Sequence, residues 1–374
     1  MSDADIVHDA VERLEWDEAK QDGQGGVSPD TKWHQVTRRA ALTGGAAGIA
    51  ALALEACGGS SSSSSTASAA AGGSGAAAIF GGGGSGYKFT LVNHVTTNPF
   101  FTPTQNGAAD ACKLLGCSYQ WTGSQNSIIG EMVNSLNSAV SAGVDGIGIA
   151  LVDLKAFNSP VAKALAAKIP VVAYNADAAS NPRLAYIGQD LFVSGQEMGQ
   201  HIASLVPSGD VALFIATPGQ LNIQPRIDGA LATLKSHPGI KTHVVTTGAA
   251  LPQELSTIES YMTAHPNTKG YFAVDGGSTQ SIAQGIRKNG LRAKGVKGGG
   301  YDLTPITQQL LAAGEIDFTI DQQPYLQGFL PILELYMYKI SQSLTGIANV
   351  NTGLVFLDKT TVVPYNSTKS RYEG

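Results

Sequence analysis

Between Lys88 and Gln322, short apolar runs alternate with longer stretches of helical periodicity, and this alternation constrains the fold more than any other feature of the chain. The runs Lys88–Asn93, Gly146–Ala150, Pro170–Tyr174, Val211–Ala216, Tyr271–Val274 and Val296–Tyr301 are nearly continuous, the pattern of strands covered on both faces. Helical stretches lie between them at Thr104–Leu115, Ile128–Ala142, Leu191–Leu205, Gln224–Leu234, Leu251–Ala264 and Ser278–Asn289, several closed by a glycine such as Gly116, Gly143 or Gly290. Repeated strand–helix units give parallel sheets with right-handed crossovers, so the expected class is α/β. The 288 residues from Tyr87 onward exceed what a single core usually serves. Two doubly wound, Rossmann-like lobes are therefore expected, with ligands held outside the carboxyl ends of the strands.

The chain ahead of Tyr87 is of a different kind. Residues 1–36 are acidic and polar, and Thr37-Arg38-Arg39-Ala40-Ala41-Leu42 then opens an Ala/Gly/Leu stretch that ends at Leu54-Glu55-Ala56-Cys57. A paired arginine before a short apolar run that stops at a small residue and a cysteine resembles a twin-arginine export signal joined to a bacterial lipoprotein cleavage box. Glu55 departs from that box, where a small or apolar residue is usual. A membrane span needs about 20 apolar residues, and the run between Ala40 and Leu54 is shorter and rich in Gly and Ala. The expectation is export to the periplasm or cell surface, with lipid on Cys57 as the anchor. Residues 60–86 are almost entirely Ser, Gly and Ala with almost nothing to bury, the composition of a tether. Gly81, Gly83 and Gly86 match the spacing of a dinucleotide-binding turn, but such a turn follows a strand and opens a helix; this one follows low complexity. The expected organisation is a leader over 1–56, a tether over 57–86, a first lobe from 87–189 with 323–352, and a second from 190–322 with 353–374.

Ten of the 29 acidic and five of the 24 basic residues fall within positions 1–56, so the remainder carries 19 of each and is formally neutral. Its basic residues are mostly scattered, without the footprint that nucleic acids require, so no nucleic-acid partner is expected. Gly-x-Ser-x-Gly, His-Glu-x-x-His and Gly-x-x-x-x-Gly-Lys are all missing. No catalytic role, cofactor or metal is expected. Cys112 and Cys117 bracket a predicted helix end and read equally as a disulfide, which needs α-carbons about 4.4–6.8 Å apart, or as two free thiols.

The strand ends carry the chemistry. His94 and Asn98-Pro99-Phe100-Phe101 follow the first run, and Asn175 and Asp177 follow Pro170–Tyr174. Arg226 opens a helix, while Asp275, Asp302 and Gln322 each follow an apolar run. Carboxylates, amides, a guanidinium and an imidazole beside aromatic rings suit a neutral polyhydroxylated ligand: each hydroxyl donates and accepts, and Phe faces meet the C–H faces of a ring. Structural readings stand beside these, since Asn98, Asp275 and Asp302 can cap helices, and Phe100 and Phe101 can belong to the core.

From Tyr87 to about Gly353 the chain resembles the type I periplasmic sugar-binding proteins of the ribose-binding group. The landmarks are Asn98-Pro99-Phe100-Phe101, Ile169-Pro170-Val171-Val172, Arg226-x-x-Gly229, Ala264-His265-Pro266, Gly300-Tyr301-Asp302 and Thr319-Ile320-Asp321-Gln322-Gln323-Pro324. The resemblance implies a substrate-binding lipoprotein, a monomer, that closes by a hinge on a small sugar or polyol and presents it to an ABC permease. It places Asn98, Phe100, Phe101, Arg226, Asp302 and Gln322 at ligand-contact positions, with His94 and Asp275 where ribose binders carry Ser and Asn. Where those proteins have an Asp-Arg pair, this chain has Asn175-Ala176 followed by Asp177. Another pentose, a hexose or a polyol is therefore expected rather than ribose. A sensory module sharing the fold is the first alternative. An exported glycosidase using Asp275 and Asp302 as its carboxylate pair is the second.

Overall fold

The computed structural model describes residues 86–365. The Arg38-Arg39 pair, the Cys57 box and the tether up to Ser85 lie outside the described residues, as do the last nine positions.

The first part of the chain runs through β1 (Lys88–Asn93), α1 (Thr102–Leu115), β2 (Ser118–Gly123), α2 (Ile129–Ser141), β3 (Gly146–Ile149), α3 (Asn158–Ala166), β4 (Val171–Tyr174) and β5 (Tyr186–Gly188). It then crosses into α4 (Leu191–Leu205), β6 (Gly209–Ile215), α5 (Gln224–Leu234), β7 (Ile240–Thr246), α6 (Leu251–Ala264), β8 (Gly270–Ala273), α7 (Gly276–Lys288), β9 (Lys297–Tyr301), α8 (Pro305–Ala312) and β10 (Phe318–Asp321). A second crossing leads to α9 (Leu326–Ser341) and β11 (Val350–Asn351), and a third to β12 (Val355–Leu357) and the short α10 (Val362–Tyr365). Two sheets result, ordered β11-β5-β4-β3-β1-β2 and β12-β10-β9-β8-β6-β7. Every pairing is parallel except that of β12 with β10, where Ile320 faces Phe356.

The apolar runs become strands because both of their faces are covered. In β6, Val211, Leu213 and Ile215 pack into one cluster with Ile202 and Ile227 of α4 and α5. The alternate residues Ala212 and Phe214 pack into another with Ile258 and Ile282 of α6 and α7. That period of two is the geometry of a strand between two helical layers. In the first sheet Phe89, Leu91, Ile147, Ile149 and Val171 share one core with Leu335 and Tyr336 of α9. Burying each such aliphatic side chain contributes about 1.5–3 kcal/mol. Gly116 ends α1 in the left-handed conformation at φ 70°. Asp190 caps α4 through the Val193 N–H at 3.0 Å.

Close helix packing sets up the second lobe. A methyl group on Gly195 of α4 would fall 2.2 Å from the Arg226 carbonyl oxygen, and one on Gly229 of α5 would fall 2.1 Å from that of Phe192. Backbone meets backbone here, and this brings Arg226 over the ends of the strands. No helix among the described residues is long and apolar enough to cross a membrane.

Candidate functional site

Parallel pairing puts the carboxyl ends of the strands on one side of each sheet, and these ends converge on a cavity of about 580 Å³, the size of a small-molecule site. His94, Asn98, Phe100, Phe101, Asn175, Arg226, Asp275, Asp302 and Gln322 all line it.

On the first-lobe side, Asn98 sits exposed at the rim and starts a 3₁₀ turn, its Oδ1 accepting the Phe100 N–H at 3.0 Å. The turn stacks rings edge-on: Phe100 against Phe101 at 4.7 Å, and Phe101 against His94 at 5.3 Å. Burial holds His94 down at about 4, so the ring is neutral at pH 7. Asn222 Nδ2 donates to His94 Nε2 at 3.2 Å, which leaves the ring proton on Nδ1. Asn175 has φ 64°, in the left-handed region that asparagine tolerates. Its Nδ2 donates to Gln327 Oε1 at 3.1 Å.

On the second-lobe side Arg226 is almost completely buried. Its Nη1 donates to the Val274 carbonyl at 2.9 Å and its Nη2 to Gln189 Oε1 at 3.1 Å. Its guanidinium carbon lies 3.9 Å from the centroid of the Tyr301 ring, a cation–π contact. Asp275 caps α7, with Oδ1 accepting from Ser278 N at 2.8 Å and Oδ2 from Ala216 N at 3.1 Å. Asp302, at φ 71°, accepts from Gln322 Nε2 at 2.8 Å. Burial raises the Asp302 carboxyl to about 6 against the pull of Arg226, and burial also raises Asp275 against its backbone donors. The capping and ligand-facing readings of Asn98 and Asp275 are thus compatible.

Four of the six buried, unpartnered side-chain atoms among the described residues belong to cavity residues: His94 Nδ1, Asn175 Oδ1, Asn222 Oδ1 and Arg226 Nε. Two are donors and two are acceptors. Buried polar atoms without partners are costly, and these four converge on one cavity.

Asp177 is a correction. It does not line the cavity, because Arg183, six residues further along the same loop, grips it with two guanidinium hydrogen bonds, one of 2.6 Å from Nε. Ala176 beside it is fully buried and also absent from the lining. Cys112 and Cys117 are free thiols rather than a disulfide. The αL residue Gly116 instead lets the Cys117 N–H reach the Cys112 carbonyl at 3.0 Å.

Sequence reasoning passed over the loop after β6. Leu221 N donates across the cleft to the Val152 carbonyl at 3.0 Å, Gln220 Nε2 donates to Ser127 Oγ at 2.9 Å, and Asn222 meets His94. The signal was available, since this loop follows a recognised strand run. Glu254, inside a helix, gave none.

A profile of the periplasmic binding protein domain matches residues 89–341. The chain is 50% identical over 303 residues to the xylose/arabinose-binding protein XylF of Sulfolobus acidocaldarius, covering 77% of this chain and 75% of that one. It is 25% identical over 238 residues to the ribose import binding protein RbsB of Salmonella typhimurium, covering 63% and 78% respectively. Among solved structures, an ABC transporter solute-binding protein from Burkholderia graminis in complex with D-arabinose superposes with a TM-score of 0.70 at 28% identity, over 76% of this chain and 97% of that one. A carbohydrate transporter solute-binding protein from Agrobacterium radiobacter, also with D-arabinose, gives 0.69 at 25% identity over 75% and 98%.

Proposed function

Because this chain belongs to the periplasmic binding protein family, it is a solute-binding protein of the type I fold, and we propose that its solute is an aldopentose, xylose or arabinose, delivered to an ABC-type importer. The observation that carries the sugar assignment is the convergence of unpartnered donors and acceptors from both lobes on one cavity. A pentose hydroxyl donates and accepts at once, so it can satisfy His94 or Arg226 on one side and Asn175 or Asn222 on the other. The Phe100–Phe101 pair offers apolar surface to ring C–H groups. One guanidinium against the Asp275 and Asp302 carboxyls disfavours an anionic sugar acid or sugar phosphate. The pentose preference rests on the arabinose and xylose named for the relatives.

In this reading no bond is made or broken. His94, Asn98 and Asn175 bind from a first lobe of 87–189 with 323–352, and Arg226, Asp275 and Asp302 from a second of 190–322 with 353–374. The hydrogen bonds across the cleft belong to the closed form, and ligand shifts the population toward it. The Arg38-Arg39 signal exports the chain, and lipid on Cys57 holds it at the membrane beside the permease.

Titration calorimetry at pH 7 with D-xylose, L-arabinose, D-arabinose, D-ribose and D-glucose tests the assignment. Saturable binding of a xylose or arabinose epimer, tighter than ribose and glucose, is expected. Binding of none of the pentoses, or tighter binding of glucose, overturns it.

A further inference from the structure

Glu254 is an acid on a surface helix that does not reach the surface. It is 4% exposed and lines the cleft from the first turn of α6. A methyl group on Gly277 would fall 1.9 Å from its Oε2 and 2.7 Å from its Cδ, so the bare glycine in the first turn of α7 is what admits the carboxyl. There it lies close enough to Asp275 for the two carboxyls to act on each other's protonation, and both line the cavity.

Asp275 already accepts backbone N–H groups at both oxygens, from Ser278 and from Ala216. Those donors favour the carboxylate form of Asp275. Two buried carboxyls this close are not readily ionised together, so the proton of the pair belongs to Glu254. Burial first, and the Asp275 charge second, push the Glu254 carboxyl up to about 9. The other charged or titratable groups lining the cavity are Arg226, Asp302 and the neutral His94. Arg226 favours the Asp275 anion, and Asp302 lies next to Gly276, 2.9 Å from where a methyl group there would sit. Further along α6 and α7, Glu259 is occupied by Lys288 at 2.8 Å.

Resting on the sugar-binding reading above, we propose that Glu254 is a positioning residue of the cleft: as a neutral carboxylic acid it donates to Asp275, orients that carboxylate for the sugar, and makes sugar binding depend on one retained proton. An alanine at 254 removes the donor. A glutamine keeps a donor of the same shape that never ionises.

The test measures Kd for D-xylose and L-arabinose from pH 6 to pH 10 in the wild type, Glu254→Gln and Glu254→Ala, with thermal unfolding of each protein without sugar over the same range. Wild-type affinity should be level to about pH 8 and weaken about tenfold between pH 9 and pH 10, as the proton is lost. Glu254→Ala should weaken binding about tenfold at pH 7. Glu254→Gln should recover most of that loss and lack the alkaline fall. Without sugar, the wild type should lose melting temperature between about pH 5 and pH 9, because the unfolded chain releases this proton from its ordinary pKa near 4.3 upward and the folded chain holds it; Glu254→Gln should not share that loss. Level wild-type affinity to pH 10, or the same alkaline fall in Glu254→Gln, overturns the proposal. If the wild type binds neither pentose at pH 7, the sugar-binding reading falls, and the unfolding curves still judge the retained proton: parallel curves for wild type and Glu254→Gln overturn it.

Discussion

Replacing Arg226 by alanine should damage both stability and binding, and the structure allows the two losses to be separated. The side chain spends two hydrogen bonds on Val274 and Gln189 and lies against Tyr301. Hydrogen bonds from a charged group contribute about 1.5–3 kcal/mol each, and a desolvated cation–π contact about 2 kcal/mol. Opposing these is the cost of burying a guanidinium, which the variant no longer bears. The expected net loss of stability is about 3 kcal/mol, read as a lower urea midpoint in the sugar-free protein. The Nε donor, unpartnered without ligand, accounts for the binding loss. One charge-assisted hydrogen bond of about 1.5–3 kcal/mol corresponds to a tenfold to hundredfold weakening by titration calorimetry. Arg226→Lys divides the two effects, since it keeps a cation and most of the volume but has no N–H at the Nε position. It should regain much of the stability and little of the affinity. Wild-type affinity in the folded Arg226→Lys protein would refute the reasoning and leave Arg226 as a packing residue alone.

Asp302→Asn should raise the melting temperature at pH 7 while weakening sugar binding. Burial lifts Asp302 to about 6, so the folded chain holds its proton over pH 4–6 after the unfolded chain has released it, and stability falls across that window by roughly 3 kcal/mol at 1.36 kcal/mol per pH unit; Asn should abolish the fall, and an unchanged pH profile would contradict this. Gly195→Ala should cost about 1–3 kcal/mol through its clash with the Arg226 backbone and weaken binding without touching sugar, whereas unaltered affinity would show that α5 holds Arg226 independently of α4. Cys57→Ser should shift the protein from the membrane to the soluble fraction with sugar affinity intact, and Arg38→Lys with Arg39→Lys should leave precursor in the cytoplasm; membrane retention of the first or normal export of the second would remove the corresponding part of the proposed leader.

What could be read in the sequence follows from where each element lies in its sheet. Strands such as β6 and β8 sit inside a sheet with helices on both faces, so their residues must be apolar in an unbroken run, and such runs are visible without coordinates. β2 and β7 are edge strands with half-exposed and exposed residues, and Ser118–Gly123 and Ile240–Thr246 carry no such run. Helix α9 contains Pro331 yet continues for 16 residues, because its packing against the first sheet and α1 outweighs the lost backbone hydrogen bond.

For the candidate site, the rule that ligands meet strand carboxyl ends picked out, from local pattern alone, His94, Asn175, Asp275 and Asp302, which line the cavity. The rule failed at Asp177, because proximity in sequence cannot show that Arg183 folds back onto the carboxylate. It also could not find Glu254 or Asn222. A glutamate in a helix looks solvated until another helix with Gly277 is laid against it, and Asn222 becomes a site residue only when its loop reaches His94 in the other lobe. Strand order, helix period and the inventory of polar groups are local properties, set by which residues must avoid water. Which of those groups lose their water together, and therefore which must share a proton or await a ligand, is decided only when the two lobes enclose one cavity.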